Sequence, residues 1–331
     1  MRAVWIKEFG GPENLEIRDV PRPATPAGDH VLVRVRAAGL NRPDLLQLRG
    51  GYAAPEGYPQ EIPGLEFAGD VAEVGEAVTT FKPGNRVFGI TAGGAQAEYL
   101  LTRESLLVKI PANLNYTEAA AIPEAFITAH DAIFTQAGLK AGETLLIHAV
   151  GSGVGLAALQ LAKANGARVI GTSRTAGKLE ACKQFGLDEA ILVGENTDLV
   201  AVLKEKTNRG GADVILDQVG AKYFSANLQS LALKGRLMLV GLMSGAIATE
   251  FDMGLMLRKR AKIIGTLLRP RPDEEKAEAV KAFAEQVVPL FENGKLRPNV
   301  DKVFPLEDVR AAYEYLRSNA NFGKVVLEIQ D

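Results

Sequence analysis

The chain has 331 residues, of which 47% are hydrophobic, and carries a formal net charge of −2. That length points to two domains, and the near-neutral balance argues against nucleic acid as the main partner. A single cysteine, Cys182, excludes an intrachain disulfide and a cysteine-rich zinc site. No segment reaches the length of a membrane span, and Met1–Ile6 reads as a strand rather than a signal peptide, so a soluble cytoplasmic protein without membrane contact is expected.

The first hundred residues read as β-rich and punctuated by turns. Val31–Arg36 alternates like a half-buried strand, and Phe67–Gly75 is a second strand with glycine breaks. Prolines and glycines crowd between Arg42 and Gly64, which predicts a loop-dominated stretch over a site. From about Ala119 strands and helices alternate. Thr144–Ala149, Ala167–Ser173, Glu189–Val193, Ala212–Val219 and Gly235–Leu242 are apolar runs typical of buried parallel strands, and Ala261–Leu268 adds another. Helices are predicted between them at Val154–Ala164, Gly177–Phe185, Asp198–Thr207 and Lys222–Leu233. This rhythm specifies an α/β fold with a doubly wound parallel sheet. A long helix then covers Pro272–Glu292, a shorter one Leu306–Asn319, and a last strand Gly323–Ile329. With strands at both ends, the tail is expected to rejoin the N-terminal domain, making the doubly wound domain an insertion.

The chemistry concentrates at one turn. Thr144–Ala149 feeds into Val150–Gly151–Ser152–Gly153–Val154–Gly155, which opens a helix almost free of charge. There backbone can approach a diphosphate, and the helix N-terminus offers unpaired N–H groups and partial positive charge. The glycines do not form a GxGxxG pattern, so the weight rests on the strand–turn–helix context. About twenty residues on, where NAD-specific folds place a carboxylate for the ribose hydroxyls, the second strand ends in Thr172, Ser173 and Arg174, with Lys178 following. Charge-assisted donors suit a 2′-phosphate, which points to NADPH. The alternative leaves Arg174 and Lys178 as solvated charges near Glu180.

Gly142–Lys163 resembles the signature of the quinone oxidoreductase and zeta-crystallin branch of the medium-chain dehydrogenase/reductase superfamily, ending in Gln160 and Lys163 at the matching spacing. Val150 and Ser152 depart from that signature. Ala37–Asp44 and Pro63–Gly69 are similar to the two active-site segments of the family. Ala119–Ala129, Gly241–Gly245 and Asn321–Glu328 are similar to a subgroup, the NADPH quinone oxidoreductases induced by a tumour suppressor in animals. The resemblance covers essentially the whole chain. It implies a GroES-like β-rich catalytic domain, residues 1–122 plus 269–331, around an inserted Rossmann NADPH-binding domain, residues 123–268, and a homodimer.

The resemblance also implies roles. Zinc-holding relatives carry a cysteine and a histidine where this chain has Asn41 and Leu65, so no metal is expected and acceptors that are already electrophilic are favoured. Asn41 is expected to orient the nicotinamide or the acceptor carbonyl, the alternative being a turn cap. Tyr52 lies where relatives carry a tyrosine near the substrate; Tyr58 is the alternative. Thr128 is expected beside the nicotinamide, with Gly241, Leu242 and Asn321 completing the cofactor set. Glu66 is expected to bond backbone near the vacated metal position, and His148 to be buried and satisfied. A tyrosine that relatives use near the 2′-phosphate corresponds to Val193. The expected activity is hydride transfer from NADPH to a quinone. The alternative acceptors are enones, 2-alkenals or enoyl thioesters, with Arg42, Arg49 and Arg269 as contacts for an acyl carrier. A non-catalytic NADPH-binding protein, crystallin-like or RNA-binding, is the alternative from another class.

Overall fold

The computed structural model describes residues 1–207 and 210–330. It divides into two compact units, one formed by Met1–Ile127 and the segment from Leu268 onward, the other by Thr128–Leu267. The chain opens with strands β1 (Arg2–Ile6), β2 (Leu15–Asp19) and β3 (His30–Leu40), followed by helix α1 (Arg42–Leu48). Then come β4 (Glu66–Val74), β5 (Arg86–Ile90), β6 (Tyr99–Arg103) and β7 (Leu107–Lys109), and helices α2 (Tyr116–Ala120) and α3 (Pro123–His130). The alternating part runs β8 (Thr144–Ile147), α4 (Gly153–Ala164), β9 (Arg168–Ser173), α5 (Ala176–Cys182), β10 (Glu189–Leu192), α6 (Leu199–Lys206) and β11 (Ala212–Asp217). It continues with α7 (Phe224–Ser230), β12 (Leu231–Leu239), α8 (Met253–Lys259) and β13 (Lys262–Gly265). The chain finishes with α9 (Asp273–Gln286), α10 (Val288–Glu292), β14 (Val300–Pro305), α11 (Val309–Arg317) and β15 (Lys324–Glu328).

In the first unit β14, β15, β3, β4, β5 and β7 lie side by side, with β6 also pairing β3. The last strand pairs antiparallel with the third, Leu327 opposite Ala38. Val31, Val33 and Val35 of β3 pack with Phe67, Val71 and Val87 in one core, which Tyr313 and Leu316 of α11 close over. In the second unit the order is β10-β9-β8-β11-β12-β13. Each neighbouring pair is parallel. Leu145, Leu146 and Ile147 of β8 are fully buried, as strands covered on both faces require. The helix that follows, α4, buries every residue from Gly155 to Ala162, which explains its lack of charge. The thiol of Cys182, at the end of α5, is buried, and that burial pushes it up to about 12.

Several elements depart from the sequence expectation. The stretch after Asn41 is not loop throughout but begins with α1, and its Asp44 carboxylate accepts from the Asn41 N–H at 2.7 Å. The expected helix over Pro272–Glu292 breaks at Val287, because Pro289 has no N–H to continue the ladder. The helix expected over Lys222–Leu233 stops at Ser230, and Leu231 already begins β12. His148 follows β8 rather than lying within it.

Candidate functional site

In the second unit the turn after β8 is held from below by a polar chain. The Ser152 side chain caps α4, accepting from the Gly155 N–H at 3.0 Å. Its hydroxyl donates to Gln218 Oε1 at 3.1 Å, and Gln218 Nε2 donates to the His148 carbonyl at 3.1 Å. Gln218 escaped the sequence reading; the signal was a polar residue beside Asp217 at the end of the apolar run Val214–Leu216. A Cβ on Gly155 would lie 2.6 Å from the Ala149 carbonyl oxygen and 2.7 Å from that of Val150, so only glycine lets α4 pack this close to the turn. The N–H groups of Gly153 and Val154 have no intrahelical acceptor, and the first turn of α4 carries no acidic side chain. With Gly151 preceding it, this helix end can take a diphosphate.

His148 is buried and satisfied, as expected. Its Nε2 lies 2.6 Å from Asn227 Oδ1, and Asn227 Nδ2 donates to Asp217 at 2.9 Å. Because Asn227 Oδ1 must accept, His148 Nε2 carries the proton and Nδ1 accepts from the Thr172 hydroxyl at 3.0 Å. Burial lowers the His148 pKa, favouring this neutral ring. Thr172 is thus committed to the interior at the end of β9. Ser173 is half-buried and its hydroxyl oxygen accepts from the Thr175 N–H at 3.1 Å. Beyond it Arg174 is exposed and Lys178 half-buried, with no acidic residue between them, so this rim can receive a phosphate. Gly241 sits where a Cβ would come 2.9 Å from the Gln218 carbonyl oxygen, and Leu242 is exposed. Thr128 is half-buried on α3.

The first unit holds a buried cluster of charged groups. Asn41, at the end of β3, donates from Nδ2 to Glu66 Oε1 at 2.9 Å and accepts at Oδ1 from Lys324 Nζ at 2.6 Å. Lys324 also lies 2.5 Å from Glu66 Oε1 and donates to the Leu40 carbonyl at 2.9 Å. Glu66 makes the expected backbone bond, accepting from the Glu124 N–H at 2.8 Å, but it binds Asn41 and Lys324 as well. A Cβ on Gly39 would lie 2.3 Å from Glu66 Oε1, so that glycine makes room for the carboxylate.

Arg269 is 4% exposed and donates to the carbonyls of Ala92 and Tyr52 and to Gln47 Oε1, so it is a buried strut and not a contact for an acyl carrier. Its guanidinium lies 5.0 Å from the Tyr52 ring centre. Tyr58 donates its hydroxyl to Asp273 at 3.1 Å. Arg42 bonds Asn319, and Arg49 is exposed. Asn321 is buried and donates to the Gly323 carbonyl at 2.7 Å. Burial pushes Asp44 up to about 6. Glu124, half-buried, is pushed up to about 8 by burial and then by the neighbouring Glu66 charge. The sequence reading missed Asp44, Glu124 and Lys324 as members of this cluster.

Residues 27–112 match the alcohol dehydrogenase GroES-like domain family, and residues 153–285 the zinc-binding dehydrogenase family. The quinone oxidoreductase of Lama guanicoe is 35% identical over 99% of this chain and 97% of its own length. That of Pseudomonas aeruginosa is 35% identical over 98% of this chain and 99% of its own. The crystal structure of Escherichia coli quinone oxidoreductase complexed with NADPH superposes with a TM-score of 0.88 at 30% identity, covering 99% of this chain and 100% of that one. The CurK enoyl reductase structure gives 0.87 at 26% identity, covering 99% of each chain. The whole-length identity, together with both family matches, shows that the chain belongs to the quinone oxidoreductase family of the medium-chain dehydrogenase/reductase superfamily.

Proposed function

We propose that the chain is a zinc-independent oxidoreductase that uses NADPH to reduce quinones or related electron-poor acceptors. The observation that carries the cofactor is the capped, uncharged start of α4, followed by a β9 rim with Arg174 and Lys178 and no carboxylate. Zinc independence is supported by the donor set: Leu65 has no ligating atom, and the Asn41 amide is already engaged by Glu66 and Lys324. When bound, NADPH supplies a hydride from C4 of its nicotinamide. Gly151, Ser152, Gly153, Val154 and Gly155 hold its diphosphate, while Ser173, Arg174 and Lys178, supported by Thr172, receive the 2′-phosphate. Gly241 and Leu242 flank the cofactor, Asn41, Thr128 and Asn321 orient the nicotinamide end, and Tyr52 meets the acceptor.

An enoyl reductase among the similar structures supports the second class of acceptor, conjugated enones, 2-alkenals and enoyl thioesters. The same reading makes the protein cytoplasmic, where NADPH is kept reduced, and a homodimer. The dimer is supported by the outer edge of β13, which has no strand partner among the described residues, and by the exposed Ile247, Met253 and Leu257 in the segment leading to it. The test is oxidation of NADPH and of NADH against a quinone, a conjugated enone and an enoyl-CoA, each with and without a chelator. Quinone-dependent oxidation that prefers NADPH and ignores the chelator is expected. Tight NADPH binding with no turnover on any acceptor would overturn the proposal in favour of a cofactor-holding role.

A further inference from the structure

We propose that the Glu124 carboxyl carries the proton that the acceptor takes up on reduction. This rests on reading the chain as a hydride-transferring oxidoreductase. Two cations, Lys324 and Arg269, act on Asp44 and Glu124 in the first unit, and Lys324 also pairs with Glu66. Glu66 accepts from three donors, Lys324 Nζ, Asn41 Nδ2 and the Glu124 N–H. Asp44 accepts from the N–H groups of Asn41 and Gly64, the latter at 3.2 Å. Those two carboxylates balance the two cations, and Glu124 is the surplus.

Its side chain also differs from the others in its contacts. Among the described residues none hydrogen-bonds the Glu124 carboxyl, while Glu124 keeps part of its surface open. The groups that act on it are Glu66 from β4, Lys324 from β15, Asp44 from α1 and Arg269, and it in turn acts on Tyr52. Glu66 and Asp44 oppose its ionisation while Lys324 and Arg269 favour it, and with burial the balance brings it up to about 8. A carboxyl in that range stays protonated at neutral pH, and among the described residues none accepts its proton.

The chemistry balances. The quinone accepts a hydride and becomes the hydroquinone monoanion, NADPH being oxidised to NADP⁺. The Glu124 proton passes to the anionic oxygen, giving hydroquinone and a Glu124 carboxylate that solvent reprotonates.

The test is Glu124→Gln. Turnover with a quinone should fall about 10²-fold, the size of a lost proton donor, while NADPH binding followed by fluorescence stays unchanged. A proton donor is lost on ionisation, so wild-type kcat should fall as pH rises through about 8, and the variant should lack that limb. Glu124→Asp keeps the proton on a shorter arm and should recover part of the rate. Infrared spectra of the cofactor-free protein give a second readout: a protonated-carboxyl band at neutral pH, titrating with a midpoint of about 8 and missing in Glu124→Gln. Full turnover in a folded Glu124→Gln variant, or a wild-type spectrum without that band, overturns the assignment. If Glu124→Gln melts below the assay temperature, the wild-type band and Glu124→Asp decide. Wild-type protein that binds NADPH but turns over no quinone, enone or enoyl-CoA overturns the hydride-transfer reading instead.

Discussion

Lys324 joins parts of the chain that are 283 residues apart in sequence, since one ammonium binds Asn41 and Glu66 together. Its side chain is 6% exposed and that of Glu66 fully buried, so neither charge has water to fall back on. Lys324→Met removes the cation and strands the carboxylate, which should cost about 3–5 kcal/mol in urea denaturation. Adding Glu66→Gln should recover part of the loss, and a Lys324→Met protein as stable as wild type would sink this account. Asn41 and Glu66 were legible in the sequence because each lies inside a recognisable segment. Lys324, Asp44 and Glu124 were not, because a lone charge in a sequence looks solvated until the fold brings its partners to it. Thr172 shows the opposite case: it lies at the end of the strand that leads to the phosphate rim, and its hydroxyl serves His148.

Among the elements, α4 was the most legible, since a helix without charge beside a glycine turn has to be buried. Its weak point is Gly155, where the packing leaves no room for a methyl group against two carbonyl oxygens. Gly155→Ala should lower stability by about 1–3 kcal/mol, the usual range for overpacking, and should weaken NADPH binding. Urea denaturation and fluorescence titration check both, and unchanged values in each would show that the turn tolerates the methyl group. The helix α1 was missed although its signals were present: Asn41 before the first turn, Pro43 inside it and Asp44 as the third helical residue. Proline and glycine density over the following twenty residues outweighed them. The break between α9 and α10 was likewise written in Pro289, and the charged periodicity on either side concealed it.

At the scale of the molecule, the alternation of apolar strands and helices was enough to give the parallel sheet, while the pairing of β15 with β3 could only be anticipated from strands at both ends. The edge of β13 and the exposed apolar residues before it lead to a definite expectation for solution behaviour. Sedimentation equilibrium should give twice the 35.4 kDa chain mass, and Leu257→Asp should shift the protein toward a single-chain mass. A wild-type mass of one chain across the concentration range would remove the dimer.

Cys182 gains significance from the acceptors proposed for this protein. Quinones and conjugated enones alkylate thiolates, and they do so where the sulfur is both accessible and ionised. The sole thiol of this chain has no exposed surface and is pushed up to about 12, so it meets neither condition. A catalyst so made can handle electrophiles without being inactivated by them, and its lifetime in their presence is limited by unfolding, not by covalent attack on sulfur.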